Sequence, residues 1–170
     1  MRRTDESGFE EYAAGAGRRL YRTAYLLCGD VHRAEDLAQA TLAKLFAHWR
    51  RASRVEHLDA YARTVLTRIF LGEQRRRSVA RRLGALAARP EEAPRGDADL
   101  RLVLLDALAE LPPRARAMVV LRYWEDLSVE TVADLLGCST GTVKSQCSRA
   151  LARLREQLGE ASSCTPVRVP

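Results

Sequence analysis

The stretch 128–158, SVETVADLLGCSTGTVKSQCSRALARLREQL, decides the fold of this chain. Val129, Val132, Ala133 and Leu136 recur at helical spacing, and Gly137 ends that helix. Ser139 or Thr140 is placed to cap a second helix, because a side-chain oxygen there accepts from N–H groups of the first turn. Val143, Cys147, Ala150, Leu151, Leu154 and Leu158 give that helix one apolar face. Two short helices about a tight Gly-containing turn form a helix-turn-helix, whose second helix enters a DNA major groove. Small Ala133 permits close approach, and Val143 fills the angle between the helices. The other side carries Thr142, Lys144, Ser145, Ser148 and Arg149, donors suited to phosphates and base edges. A plain helical hairpin with a solvated basic face is the rival reading. The Gly turn and the clustered donors weigh against it.

Composition points the same way. The 170 residues suffice for one domain or two small ones. A net charge of +6 and a pI of about 9.5 favour a polyanionic partner. Aromatics make up only 6%, while Ala, Leu and Arg dominate, as expected of an all-helical chain. No run approaches the ~20 apolar residues of a membrane span. The start, MRRTDESGFEEY, lacks the apolar core of a signal peptide, so a cytoplasmic chain is expected. Cys28, Cys138, Cys147 and Cys164 lie far apart without CxxC spacing. They are expected as free thiols, with Cys138 and Cys147 acting as small apolar residues; a redox switch is the rival reading. His32, His48 and His57 are not spaced as metal ligands, so neither metal nor cofactor is expected.

The chain divides into two blocks. The spacing predicts three helices in the first (8–77), over about Phe9–Leu27, His32–Arg50 and Leu58–Arg75. Leu20, Ala24 and Leu27 mark the first, and Leu37, Leu42, Leu45, Phe46 and Trp49 the buried face of the second. Leu58, Tyr61, Ala62, Val65, Leu66 and Ile69 mark the third, and RRASRVEH (50–57) is a polar loop between them. Residues 78–99 form a linker, flexible from Pro90 to Asp97. Six arginines lie between Arg75 and Arg89 without an acidic residue, either as solvated surface or as phosphate contacts. The second block (100–159) opens with a helix marked by Leu102, Leu105, Leu108 and Leu111. Pro113 starts another, running through Arg114 to Trp124, before the helix-turn-helix. Residues 160–170 are expected as a disordered tail. The fold class is therefore all-α: two small helical domains on a flexible linker, the second a helix-turn-helix domain.

This organisation resembles a bacterial RNA polymerase sigma factor of the extracytoplasmic-function (ECF) group, which retains only the second and fourth conserved sigma domains. GDVHRAEDLAQATLAKLF (29–46) is similar to the family's polymerase-binding helix, with its acidic pair, Leu and Gln at Glu35, Asp36, Leu37 and Gln39. ELPPRARAMVVLRYWEDLSVETVADLLGCSTGTVKSQCSRAL (110–151) is similar to its promoter-binding fourth domain. By residues alone, Glu35, Asp36 and Gln39 are a polar margin beside an apolar stripe, equally suited to keeping the helix soluble. The resemblance implies that Glu35, Asp36 and Gln39 bind polymerase, Asp36 and Gln39 meeting the clamp helices of its largest subunits. It also implies that Thr140, Thr142, Lys144, Ser145, Ser148 and Arg149 contact the upstream (−35) element. Arg54, Glu56, His57 and Tyr61, in and after the loop, would capture a base flipped from the downstream (−10) element. The implied partners are core RNA polymerase and promoter DNA, with an anti-sigma factor as a further candidate, and no membrane. Two departures stand out. The third helix, ARTVLTRIFLGEQRRR, lacks the family's A-R-N-x-x-x-D pattern, with Thr64 or Arg68 near the place of the Asn. The recognition helix reads Gln146-Cys147 where the family often has Arg-Leu.

Two other classes compete with this reading. A helix-turn-helix regulator acting without polymerase leaves the first block unexplained. An enzyme is disfavoured by the lack of a Gly-rich phosphate loop, metal spacing or a Ser/His/Asp arrangement, and Glu91-Glu92 falls in the linker. The residues after Leu158 are too few to fold, so control is expected from a partner, from synthesis or from proteolysis.

Overall fold

The structure, a computed structural model, describes residues 3–84 and 100–163. The centre of the expected linker and the last residues, with Glu91, Glu92 and Cys164, lie outside the described residues. Among the described residues every regular element is helical. The chain splits into two compact units, Met1–Ala87 and Ala88–Pro170. The fold is all-α, as its apolar periodicities require.

In the first unit α1 (Arg3–Cys28), α2 (Val31–Ala47) and α4 (Leu58–Arg82) pack on one another, with a short α3 (Trp49–Ala52) between. Gly29, at φ 69°, turns the chain back after α1, and Asp30 Oδ1 caps α2 by accepting from the Arg33 N–H at 2.8 Å. Leu20, Ala24 and Leu27 of α1, Ala34, Leu37 and Leu45 of α2, and Ala62, Leu66 and Phe70 of α4 are all buried where the three helices pack. Ala24 and Ala34 are wholly buried, so their small side chains leave room for neighbouring helices to approach closely. Buried Thr41 donates its hydroxyl to the Leu37 carbonyl at 2.7 Å, which removes the cost of an unpaired group.

Several boundaries differ from the sequence reading. α1 begins at Arg3, not near Phe9, because Gly8 is mid-helix; a Cβ there would lie 3.7 Å from Trp49 Nε1. The second predicted helix is broken at His48 (φ −119°, ψ 20°), so Trp49 opens α3 instead of lying on α2's face. That turn packs the Trp49 ring edge-on to Phe9 at 5.3 Å. Phe46, expected in the core, is 41% exposed, with the Phe9 ring tilted against it at 4.9 Å. α3 takes up the first three residues of the predicted loop 50–57. α4 runs on to Arg82, since helix-favouring arginines let it propagate beyond its packed part.

In the second unit α8 (Thr140–Ser163) packs against α5 (Leu100–Glu110), α6 (Pro113–Val119) and α7 (Val129–Leu136). Leu105, Leu108 and Leu111 are buried as expected, whereas Leu102 is exposed. The helix predicted to reach Trp124 widens into a π-helical turn over Val120–Trp124, where the Glu125 N–H reaches back to the Val120 carbonyl. Arg116, 7% exposed, donates to the carbonyls of Ala109 (2.6 Å) and Leu111 (3.1 Å) at the end of α5. Arg114 does the same for the Leu136 carbonyl of α7 at 2.6 Å, and Arg122 for the Leu127 carbonyl. These contacts satisfy carbonyls that a helix end or a turn leaves open. α8 continues through Ser163, four residues into the stretch read as tail.

The helix-turn-helix closes as its sequence requires. Ser128 Oγ accepts from the Thr131 N–H and caps α7. Gly137 takes a left-handed conformation (φ 61°, ψ 51°) that an L side chain disfavours. Ser139, not Thr140, caps α8, accepting from the Thr142 N–H at 3.1 Å. Ala133 and Val143 are 3% and 0% exposed at the crossing. Gly137→Ala is therefore expected to destabilise the second unit by roughly 1–3 kcal/mol, the strain of a non-Gly residue in that region. Chemical denaturation followed by tryptophan fluorescence measures it, and an unchanged midpoint would contradict the strained turn.

Candidate polymerase and promoter interfaces

Burial of α8's stripe Val143, Cys147, Ala150 and Leu154 turns the other side of its first turns outward. Thr140, Lys144, Ser145, Ser148 and Arg149 are exposed and Thr142 half-buried, all within an arc of roughly 200° at 3.6 residues per turn. The structure brings these six residues to one surface. Two are also engaged locally: Thr142 Oγ1 lies 2.9 Å from Ser139 Oγ, and Ser145 donates to the Thr142 carbonyl at 3.1 Å. Lys144 and Arg149 keep the long, charged reach that base edges and phosphates call for.

Beside Lys144 and Ser148 lies a cavity of about 320 Å³ that Arg122, Tyr123 and Arg155 also line. These three residues escaped the sequence reading. Arg155 follows Ser148 by seven positions on the same helical line, so periodicity alone could have found it. Arg122 and Tyr123 come from the π-helical turn, and only tertiary packing brings them there. Cys147 floors the cavity at 5% exposure. Burial pushes its thiol pKa up, with Arg122 opposing, so it stays a neutral apolar filler. Cys28, Cys138 and Cys147 are all free thiols.

In the first unit Glu35, Asp36 and Gln39 lie exposed on α2, beside the buried Ala34, Leu37, Ala38 and Thr41. The four residues expected at the downstream element part company. Tyr61 is half-buried and lines a cavity of about 280 Å³ with Phe46, His48, Trp49, Arg50 and Arg51. Arg54, Glu56 and His57 are exposed on the connection 53–57 and do not line it. The cavity joins aromatic rings to cationic side chains, a setting for a stacked base and its phosphate. The sequence reading missed Phe46 and Trp49 here because it placed both in the core, and missed His48, Arg50 and Arg51 because the break at His48 was not apparent. Among the described residues, no helix is long and apolar enough to cross a membrane, and no cluster of His, Cys, Asp or Glu could hold a metal ion.

Two helical units of this kind define the class: paired sigma-70 domains. Residues 15–87 match sigma-70 region 2, and residues 101–154 match sigma-70 region 4. The chain is 39% identical over 155 residues to an RNA polymerase sigma-E factor of Streptomyces coelicolor, covering 88% of this chain and 85% of that one. It is 30% identical over 158 residues to the ECF RNA polymerase sigma factor SigL of Mycobacterium tuberculosis, covering 89% and 87%. Among solved structures, the sigma factor RpoE in complex with the anti-sigma factor NepR, from Bartonella quintana, matches with a TM-score of 0.70 and 30% identity. That match covers 89% of this chain and 97% of the other. The chain belongs to the RNA polymerase sigma factors of the ECF group.

The two arginines of α8 should separate in assay. Arg149→Ala is expected to lower affinity for the preferred site by roughly 1–3 kcal/mol and to relax preference at one base pair. Arg155→Ala should weaken all duplexes alike and reduce the salt slope of binding by about 1. Fluorescence anisotropy on matched and mismatched duplexes at several salt concentrations distinguishes them; equal sequence dependence for both would refute the division.

Proposed function

We propose that this sigma factor docks on core RNA polymerase through the exposed margin of α2, with Glu35, Asp36 and Gln39 as its polar contacts. The first turns of α8 read the upstream (−35) element, with Lys144, Ser145, Ser148 and Arg149 toward bases and Thr140 and Thr142 toward phosphates. Arg122, Tyr123 and Arg155 add phosphate contacts at the edge of that surface. In the first unit the cavity at Phe46–Arg51 and Tyr61 takes a base flipped out of the downstream (−10) element, with Arg54, Glu56 and His57 at its approach. Flipping costs a few kcal/mol, which stacking on rings and contacts to arginines must offset.

The observation that carries this reading is the division of labour within each helix. α2 and α8 each bury one stripe and present the opposite residues, polar on α2 and basic on α8. The protein acts as an initiation factor without catalytic chemistry of its own, beside the polymerase in the cytoplasm. An anti-sigma factor is a partner in the same proposal, by likeness to the Bartonella quintana complex. A helix-turn-helix regulator needing no polymerase is the alternative, and it gives the α2 margin and the aromatic cavity no task.

Run-off transcription with core polymerase on genomic fragments tests the reading, because the regulator alternative yields no sigma-dependent start sites. Asp36→Ala with Gln39→Ala is expected to leave helical content by circular dichroism intact while weakening core binding at least tenfold, as truncating interface anchors commonly does. Unchanged affinity in the double variant would remove this margin from the interface.

A further inference from the structure

The cavity at Phe46–Arg51 and Tyr61 has walls from two places in the chain: α2–α3, carrying Trp49, and the first turn of α4, carrying Tyr61. The connection 53–57 between them is exposed throughout, and His57 makes no side-chain cap to α4. Neither feature fixes the position of α4's first turn. A third element, α1, reaches that turn with side-chain hydrogen bonds. Tyr12 sets its ring 5.8 Å from the Trp49 ring and donates its hydroxyl to Asp59 Oδ1 at 3.1 Å. Arg19 donates to both oxygens of the same carboxylate at 2.9 Å. Asp59 lies two residues before Tyr61.

The Arg19 and Asp59 side chains are 64% and 48% exposed, and ion pairs so open add little to global stability. Their chain separation of 40 residues shows instead what they do: they tie the start of α4 to α1. Tyr12 touches both walls. Burial, then the Asp59 carboxylate, push its pKa well above the usual tyrosine value, so the phenol keeps its proton and remains a donor.

We propose that Tyr12, Asp59 and Arg19 are positioning residues for promoter opening: Tyr12 holds Trp49 with its ring and Asp59 with its hydroxyl, and so sets the spacing of the cavity walls. The inference rests on the cavity's proposed role as the site of the flipped −10 base. An edge-to-edge brace of this kind affects which base fits and how well it is held, more than whether the unit folds.

The test uses the full chain with core polymerase on a promoter whose start site has been mapped. The readout is the ratio of run-off from the natural −10 element to run-off from single-base substitutions. Affinity for core polymerase and for a −35 duplex serve as controls. Tyr12→Phe removes only the hydroxyl, Asp59→Asn keeps the shape, and Tyr61→Ala reports on the cavity itself. Both brace variants are expected to lower the ratio by about three- to tenfold, the usual net effect of losing one partly exposed hydrogen bond. The two controls should stay unchanged, and the Tyr12→Phe/Asp59→Asn double variant should lose no more than the worse single one. If Tyr61→Ala lowers the ratio but the brace variants do not, the brace is wrong and the cavity reading stands. If Tyr61→Ala leaves the ratio unchanged, the cavity reading fails and the brace with it. Brace variants that lower core or −35 affinity as much as the ratio serve only the fold, which also overturns the proposal.

Discussion

The burial of one apolar stripe per helix is the constraint on which the rest of this protein depends. α8 packs on α5, α6 and α7 with Val143, Cys147, Ala150 and Leu154 buried. Its basic side is then outward without any further device. α2 is held in the same way by Ala34, Leu37, Ala38 and Leu45, which leaves Glu35, Asp36 and Gln39 at the surface. Function on both helices is thus a consequence of packing: a helix free to rotate would present no defined surface. Small residues make this tight. Ala24, Ala34 and Ala133 occupy crossings where a larger side chain would push the helices apart.

Arginine does two different jobs here. The net charge of +6 suggests a surface given over to nucleic acid, yet part of the arginine set is structural. Arg114, Arg116 and Arg122 donate to backbone carbonyls at helix ends and turns. Arg19 holds Asp59. The guanidinium suits such places because it keeps its charge when partly buried and offers several donors in a fixed fork. Those left exposed include Arg149 and Arg155 on α8 and the basic end of α4 from Arg75 to Arg82, where the helix outruns its packed part. Charge counting alone does not show which arginines hold the fold, and Arg122 both donates to a carbonyl and lines the cavity beside Lys144.

The two units present different kinds of surface. The second offers a continuous convex row on one helix, suited to a duplex groove whose shape is known in advance. The first offers a concave site assembled from α2, α3 and α4, with aromatic rings on its walls. A concave aromatic site suits a base that has left its stack, because it replaces the lost stacking face. Its shape depends on where three elements meet, so contacts remote from it, such as those of Tyr12, bear on it.

The sequence by itself determined the helices, the turn and the polar rows. Periodicity at 3.6 residues, Gly137 with its need for positive φ, and serines at cap positions are local signals, and each acts within a few residues. The tertiary structure alone decided what required distant residues to meet. It broke the second predicted helix at His48, drew Trp49 onto Phe9 and left Phe46 half-covered. It placed Tyr61 in a cavity and kept Arg54, Glu56 and His57 out of it, and it brought Arg122 beside Lys144. A one-dimensional pattern records which side of a helix is apolar. It does not record which other helix covers that side, and the covering helix sets the shape of every site between elements.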